Sequence, residues 1–214
     1  MKKEVVVIPV GSATIEGNLA IPLASKGIVL FAHGSGSGRF SRRNQYVAKE
    51  FNEAGIGTLL IDLLTKEEEV IDVATSEFRF DIGMLAQRLE MATDWLKQNP
   101  STKRLALGYY GASTGAAAAL IAATKYPNDV KTVVSRGGRP DLAMQYLQKV
   151  KVPTLFIVGG KDIVVLDLNK KAMEQIPAEK KLEIILGASH LFEEPGKLEE
   201  VAKLSVGWFI AHLI

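Results

Sequence analysis

Short apolar runs alternate with longer amphipathic stretches along most of the 214 residues. Runs rich in valine, isoleucine and leucine occur at 5–10, 14–22, 28–33, 57–64, 104–111, 130–137, 153–160 and 182–188. The last six are almost continuously apolar, which predicts parallel strands buried on both faces. The second mixes polar and apolar positions and predicts an edge hairpin with the first. Between them, 41–55 carries Val47, Phe51 and Ala54 at helical spacing and stops at Gly55. The stretch 78–100 places Ile82, Leu85, Leu89, Ala92 and Leu96 on one face, and 198–213 does the same with Val201, Leu204 and Trp208. Strands alternating with helices predict βαβ units stacked as a three-layer α/β/α sandwich, with a mostly parallel sheet of about eight strands. A single short helix at 139–150 separates the strands at 130–137 and 153–160. No inserted cap domain fits there or elsewhere, so the expected cleft is open and shallow. Residues 1–214 are read as one domain, without repeat or linker.

Composition narrows the chemistry. The chain has no cysteine, which removes disulfides, thiolate nucleophiles and cysteine metal ligands together. With only three histidines no metal site is expected, and no cofactor is called for. A net charge of +2 gives no field that argues for nucleic acid or a membrane surface. The start MKKEVVVIPVG is interrupted by Glu4 and too short for a signal segment, so a cytoplasmic protein is expected.

The stretch FAHGSGSGRFSRRN (31–44) poses the first chemical question. Glycines after a strand, followed by Arg39, Arg42 and Arg43, suggest a phosphate cradle. The glycine spacing fits neither G-x-G-x-x-G nor a P-loop, and no GK[ST] occurs. The other use of such a loop is to aim a backbone N–H at a developing oxyanion.

GYYGASTGAAAAL (108–120) contains the only G-x-S-x-G, centred on Ser113, directly after one predicted strand and before a helical alanine run. That is the strand-turn-helix of a nucleophile elbow. The plainer alternative is a helix N-cap serine. A serine needs a base, and the base an orienting acid, in the order Ser, Asp or Glu, His. GGKD supplies Asp162 and GASH supplies His190, each just beyond a later strand. Asp167 is the weaker rival for the acid. His33 suits support of the loop, Asp62 a structural role at a strand end, and His212 the surface. The candidate catalytic set is therefore Ser113, Asp162 and His190, with the N–H groups of Ser35 and Thr114 as oxyanion donors. Arg136 and Arg139, in SRGGRPDL, are candidates for binding a substrate carboxylate or phosphate, against the alternative of pairing with Asp141.

HGSGSG, GASTG, GGKD and GASH resemble the α/β-hydrolase superfamily, and the chain looks most like its dienelactone-hydrolase-related branch. GYYGASTGAAAAL, SRGGRPDLA and GASHLFEEPG resemble the hydrolase domain that some bacterial proteins carry fused to a phosphoribosyltransferase. The resemblance implies an α/β-hydrolase fold and cleavage of a small-molecule ester or lactone; acyl transfer, thioester cleavage and non-catalytic binding are the alternatives. Dienelactone hydrolases proper use cysteine, so Ser113 favours serine-esterase chemistry.

Overall fold

The computed structural model describes residues 1–213. Eight strands form one sheet: β1 (Lys2–Val10), β2 (Ala13–Ile21), β3 (Gly27–Ala32), β4 (Gly57–Ile61), β5 (Ala106–Ala112), β6 (Val130–Arg136), β7 (Thr154–Gly159) and β8 (Lys180–Ile185). Their order is β1-β2-β4-β3-β5-β6-β7-β8. β1 pairs antiparallel with β2, and β2 with β4; every other pairing is parallel. The helices are α1 (Arg42–Glu53), α2 (Lys66–Thr75), α3 (Ile82–Gln98), α4 (Thr114–Lys125), α5 (Met144–Leu147), α6 (Ile163–Gln175) and α7 (Lys197–Leu213). A 3-10 turn at Pro140–Ala143 leads into α5.

The central strands alternate their side chains between two apolar layers. Leu30, Tyr109, Val133 and Phe156 pack with Leu89, Ala118 and Ala172 of α3, α4 and α6. Phe31, Tyr110, Val134 and Leu155 pack on the other face with Phe51 of α1 and Phe209 of α7. Phe31, Phe51, Tyr110 and Phe209 form a chain of rings 4.8 to 5.7 Å apart, tilted or edge-on as ring quadrupoles favour. Burial on both faces explains why these strands read as largely apolar runs. This is the α/β-hydrolase architecture.

Two elements depart from the sequence reading. β8 is the outer strand and buries only Ile185, so the expected two-sided burial does not extend to it. Its start, Lys180 and Lys181, keeps an open edge charged. α2 was not anticipated, because no apolar stripe marks it: Val70 and Val73 are about three-quarters exposed. The helix is fixed by its ends instead. Thr65 and Glu68 form a reciprocal capping box, and Glu67, Glu68 and Glu69 meet the positive end of the helix dipole. The short helix expected at 139–150 is a 3-10 turn followed by one turn of α-helix. Among the described residues no helix is long and apolar enough to cross a membrane.

Because β3 to β8 run parallel, the loops after them all leave the sheet at one end. Ser35, Ser113, Arg139, Asp162 and His190 lie in five of these loops or at the helix starts that follow them.

Candidate active site

Ser113 joins β5 to α4 with φ 51° and ψ −121°, a conformation that strains a non-glycine residue by about 1–3 kcal/mol. The backbone is held there by hydrogen bonds on both sides. Ser113 N–H donates to Arg136 O (3.2 Å), and Ser113 O accepts from Arg139 N–H (3.0 Å). The flanking glycines leave no room for a side chain. A Cβ at Gly115 would lie 2.3 Å from Ala32 O, and one at Gly111 would lie 2.4 Å from Ala116 Cα. Ala116 to Ala119, all fully buried, let α4 pack close behind the turn.

Ser113 and Asp162 stand at the N-cap positions of α4 and α6, and both are residue types that normally cap. Neither side chain does so. This removes the plain N-cap alternative for Ser113. The Asp162 carboxylate instead accepts from His190 Nδ1 at 2.6 Å, with the carboxylate largely buried and the imidazole about one-third exposed. That bond fixes the tautomer and leaves Nε2 as the free ring nitrogen. No hydrogen bond joins Ser113 Oγ to His190 among the described residues. The rival acid, Asp167, is exposed and pairs with Lys171 one helical turn away (2.7 Å).

The segment carrying His190 has its own supports. Both carboxylate oxygens of Glu194 accept from Ser189 N–H (3.0 and 3.1 Å). The backbone amides at Glu194 and Ser189 hold its carboxyl below the usual range. Phe192, at φ 58°, buries its ring in the α1/α7 layer. In the sequence Glu194 is marked only as an acid four residues after His190, which by itself assigns it no role.

The glycine-serine loop lies against the elbow: a Cβ at Gly34 would come within 3.0 Å of Ser113 Cβ. Ser35 Oγ and Thr114 Oγ1 are 3.1 Å apart. The N–H groups of Ser35 and Thr114 have no acceptor among the described residues. Both ends of the loop are tied to the tail of β4. His33 Nε2 accepts from Leu63 N–H (2.9 Å) while Nδ1 donates to Gly34 O (2.9 Å). Burial lowers the His33 pKa, in keeping with a neutral ring that accepts through Nε2. At the other end Asp62 accepts from Arg39 N–H (2.8 Å), and the Arg39 guanidinium pairs with both Asp62 and Glu16. Asp62 thus has the structural role expected of it, and Arg39 is a loop fastener. Arg43 pairs with Glu193 (2.7 Å) across the cleft edge.

The two other arginines are placed differently from each other. Arg139 donates from Nε and Nη2 to the two oxygens of Asp141 (2.9 and 2.8 Å). Arg136 is 4% exposed, reaches Asn44 Oδ1 (3.2 Å) and lies 5.8 Å from the Phe192 ring. His212 stacks on Trp208 at 4.0 Å, remote from the other histidines in the fold.

The wall beside the glycine loop comes from the unanticipated α2. Asp72 is buried and accepts from Phe78 N–H, Arg79 N–H and Arg79 Nε (2.8, 2.9 and 2.6 Å). Burial alone would raise its pKa; the bonds from Arg79 and Phe78 overcome that and lower it. A carboxyl depressed on folding stabilises the fold above its unfolded pKa, and the gain is lost as pH falls through the folded value. Asp72→Ala is therefore expected to make 65–81 a protease-sensitive segment at pH 7, with wild type approaching that state only below about pH 4. Mass spectrometry of limited digests across pH checks this; equal resistance of variant and wild type would contradict it.

The dienelactone hydrolase family pattern matches residues 15–205. The chain belongs to the dienelactone hydrolase family. Within that family, the solved dienelactone hydrolase of Anabaena variabilis is 57% identical, with a TM-score of 0.98 over all of this chain and 99% of that one. Proteins from two strains of Mycobacterium tuberculosis, named as phosphoribosyl transferases, are 53% identical over 213 residues. Those residues cover all of this chain and 47% of each relative, so the chain spans about half their length. Est1E of Butyrivibrio proteoclasticus, solved with ferulic acid bound, shares the fold: TM-score 0.82 at 15% identity, covering 97% of this chain and 98% of that one. The family relationship supports hydrolase activity on an α/β-hydrolase scaffold.

Proposed function

We propose that the protein is a serine hydrolase of carboxylic esters acting through an acyl-enzyme. The observation that carries this is the His190–Asp162 hydrogen bond of 2.6 Å at the same sheet end as a serine held on a strained elbow and not used as a cap. In the first step Ser113 Oγ attacks the ester carbonyl while His190 Nε2 takes its proton, and Asp162 stabilises the imidazolium. The carbonyl oxygen, now an oxyanion, is met by the N–H groups of Ser35 and Thr114. His190 then returns the proton to the departing alkoxide, which leaves as the alcohol. Water, deprotonated by His190, attacks the acyl-serine; the acid is released and Ser113 recovers its proton.

The substrate is a small molecule, and no cofactor or metal takes part in this chemistry. The phosphoribosyl transferase name belongs to proteins about twice this length, and the reading concerns the half matched here. A fluorophosphonate probe is expected to add one phosphonyl group to Ser113, located by peptide mass. Failure to label, in protein that is folded by circular dichroism, would overturn the esterase reading.

A further inference from the structure

At the sheet end that carries Ser113, Arg39, Arg43, Arg79, Arg136 and Arg139 each have a partner, Arg42 is exposed without one among the described residues, and large apolar side chains lie open. Arg39 is held by Glu16 and Asp62. Arg79 gives Nε to Asp72 Oδ2 (2.6 Å) and Nη2 to Asp72 O (2.7 Å). Arg139 spends two nitrogens on Asp141, and Arg136 is buried against Asn44. Arg39, Arg79 and Arg139, already met by internal carboxylates, offer an incoming carboxylate neither net charge nor a complete fork, and Arg136, whose partner Asn44 is neutral, is only 4% exposed.

Large apolar side chains lie open on both sides of the elbow. Phe40, Val73 and Phe80, from the connections after β3 and β4, are 66%, 74% and 58% exposed. Met144, Val164 and Leu191, from the connections after β6, β7 and β8, are 43%, 73% and 38% exposed. Val73 also lines a cavity of about 110 Å³ with Ser35, Thr114, Leu64 and Leu85. Ligand pockets usually enclose about 300–1,000 Å³, so this one takes only a small group. The longer limb of a substrate has to extend across the apolar rim.

Resting on the esterase reading, we infer that the substrate class is esters with one short limb and one extended apolar limb, and that a limb ending in a carboxylate is disfavoured because the apolar rim offers that charge no partner. Partial burial on an open rim yields about half the value of a fully buried methylene, or about a twofold gain in kcat/KM per CH₂. The test uses p-nitrophenyl esters from acetate to octanoate, alkyl acetates from ethyl to hexyl, and mono-p-nitrophenyl glutarate against p-nitrophenyl valerate. One of the two series is expected to rise about twofold per methylene, and the glutarate to be at least about tenfold poorer than the valerate. Phe80→Ser and Val164→Ser are expected to lower the ratio of long to short ester in the rising series. Two flat series, a glutarate as good as the valerate, or an unchanged ratio in both variants would overturn the inference while the esterase reading stood. Absence of acetate hydrolysis together with absence of Ser113 labelling would sink both.

Discussion

Ser113→Ala is expected to abolish ester hydrolysis, with kcat for p-nitrophenyl acetate falling by about 10⁴-fold or more. The size follows from the reaction: without Oγ there is no acyl-enzyme, and the oxyanion donors alone keep only a small residue of the acceleration. The fold should tolerate the change. Ser113 Oγ makes no hydrogen bond among the described residues and caps no helix, so its removal strands no partner. Alanine inherits the same backbone conformation, φ 51°, without additional bulk. The expected signature is an unchanged thermal midpoint beside lost turnover and lost fluorophosphonate labelling. Retention of full activity would place the chemistry elsewhere.

The second large effect separates two carboxylates five residues apart. Asp162→Asn is expected to lower kcat by about 10³- to 10⁴-fold with little change in KM, because an amide oriented toward Nδ1 can impose the wrong imidazole tautomer and cannot stabilise imidazolium. Asp167→Asn is expected to leave both parameters within about twofold. Its carboxylate is exposed and its only partner among the described residues is Lys171, an i,i+4 pair worth about a few tenths of a kcal/mol. Steady-state kinetics on the two variants decide the assignment. Equal loss in both, or a greater loss in the Asp167 variant, would reject Asp162 as the orienting acid.

Much of the molecule was legible because different physical demands left different marks. Strands buried on both faces are apolar at most positions, so β3 to β7 announce themselves as runs, with Lys131, Thr132, Ser135 and Arg136 the polar exceptions in β6. The elbow must be glycine-serine-glycine because Ala32 O and Ala116 Cα crowd positions 115 and 111. Asp162 and His190, which the structure joins by a hydrogen bond, are marked in the sequence by their order and by their positions after strands. What escaped had no periodic mark. α2 is held by a capping box and by Asp72 rather than by an apolar stripe, so pattern reading passed over it and the cleft wall it forms. Arg39 could not be interpreted from sequence because its partners, Glu16 and Asp62, arrive from two other strands. The acid that occupies Arg139, in contrast, lies two residues away, so the pairing is legible in the sequence.

The glycines around Ser113 have a consequence for how such a protein changes over time. At positions 34, 111 and 115 a side chain would press on Ser113 or on the backbone around it, so that region has no neighbouring sequences to explore. The exposed side chains at 73, 80 and 164 touch little and can be exchanged singly. On the proposed esterase reading, new preferences for the limb of an ester can therefore accumulate step by step at the mouth while the seat of Ser113 stays as it is. In this fold the reaction is inherited, and the choice of what to react is open to drift.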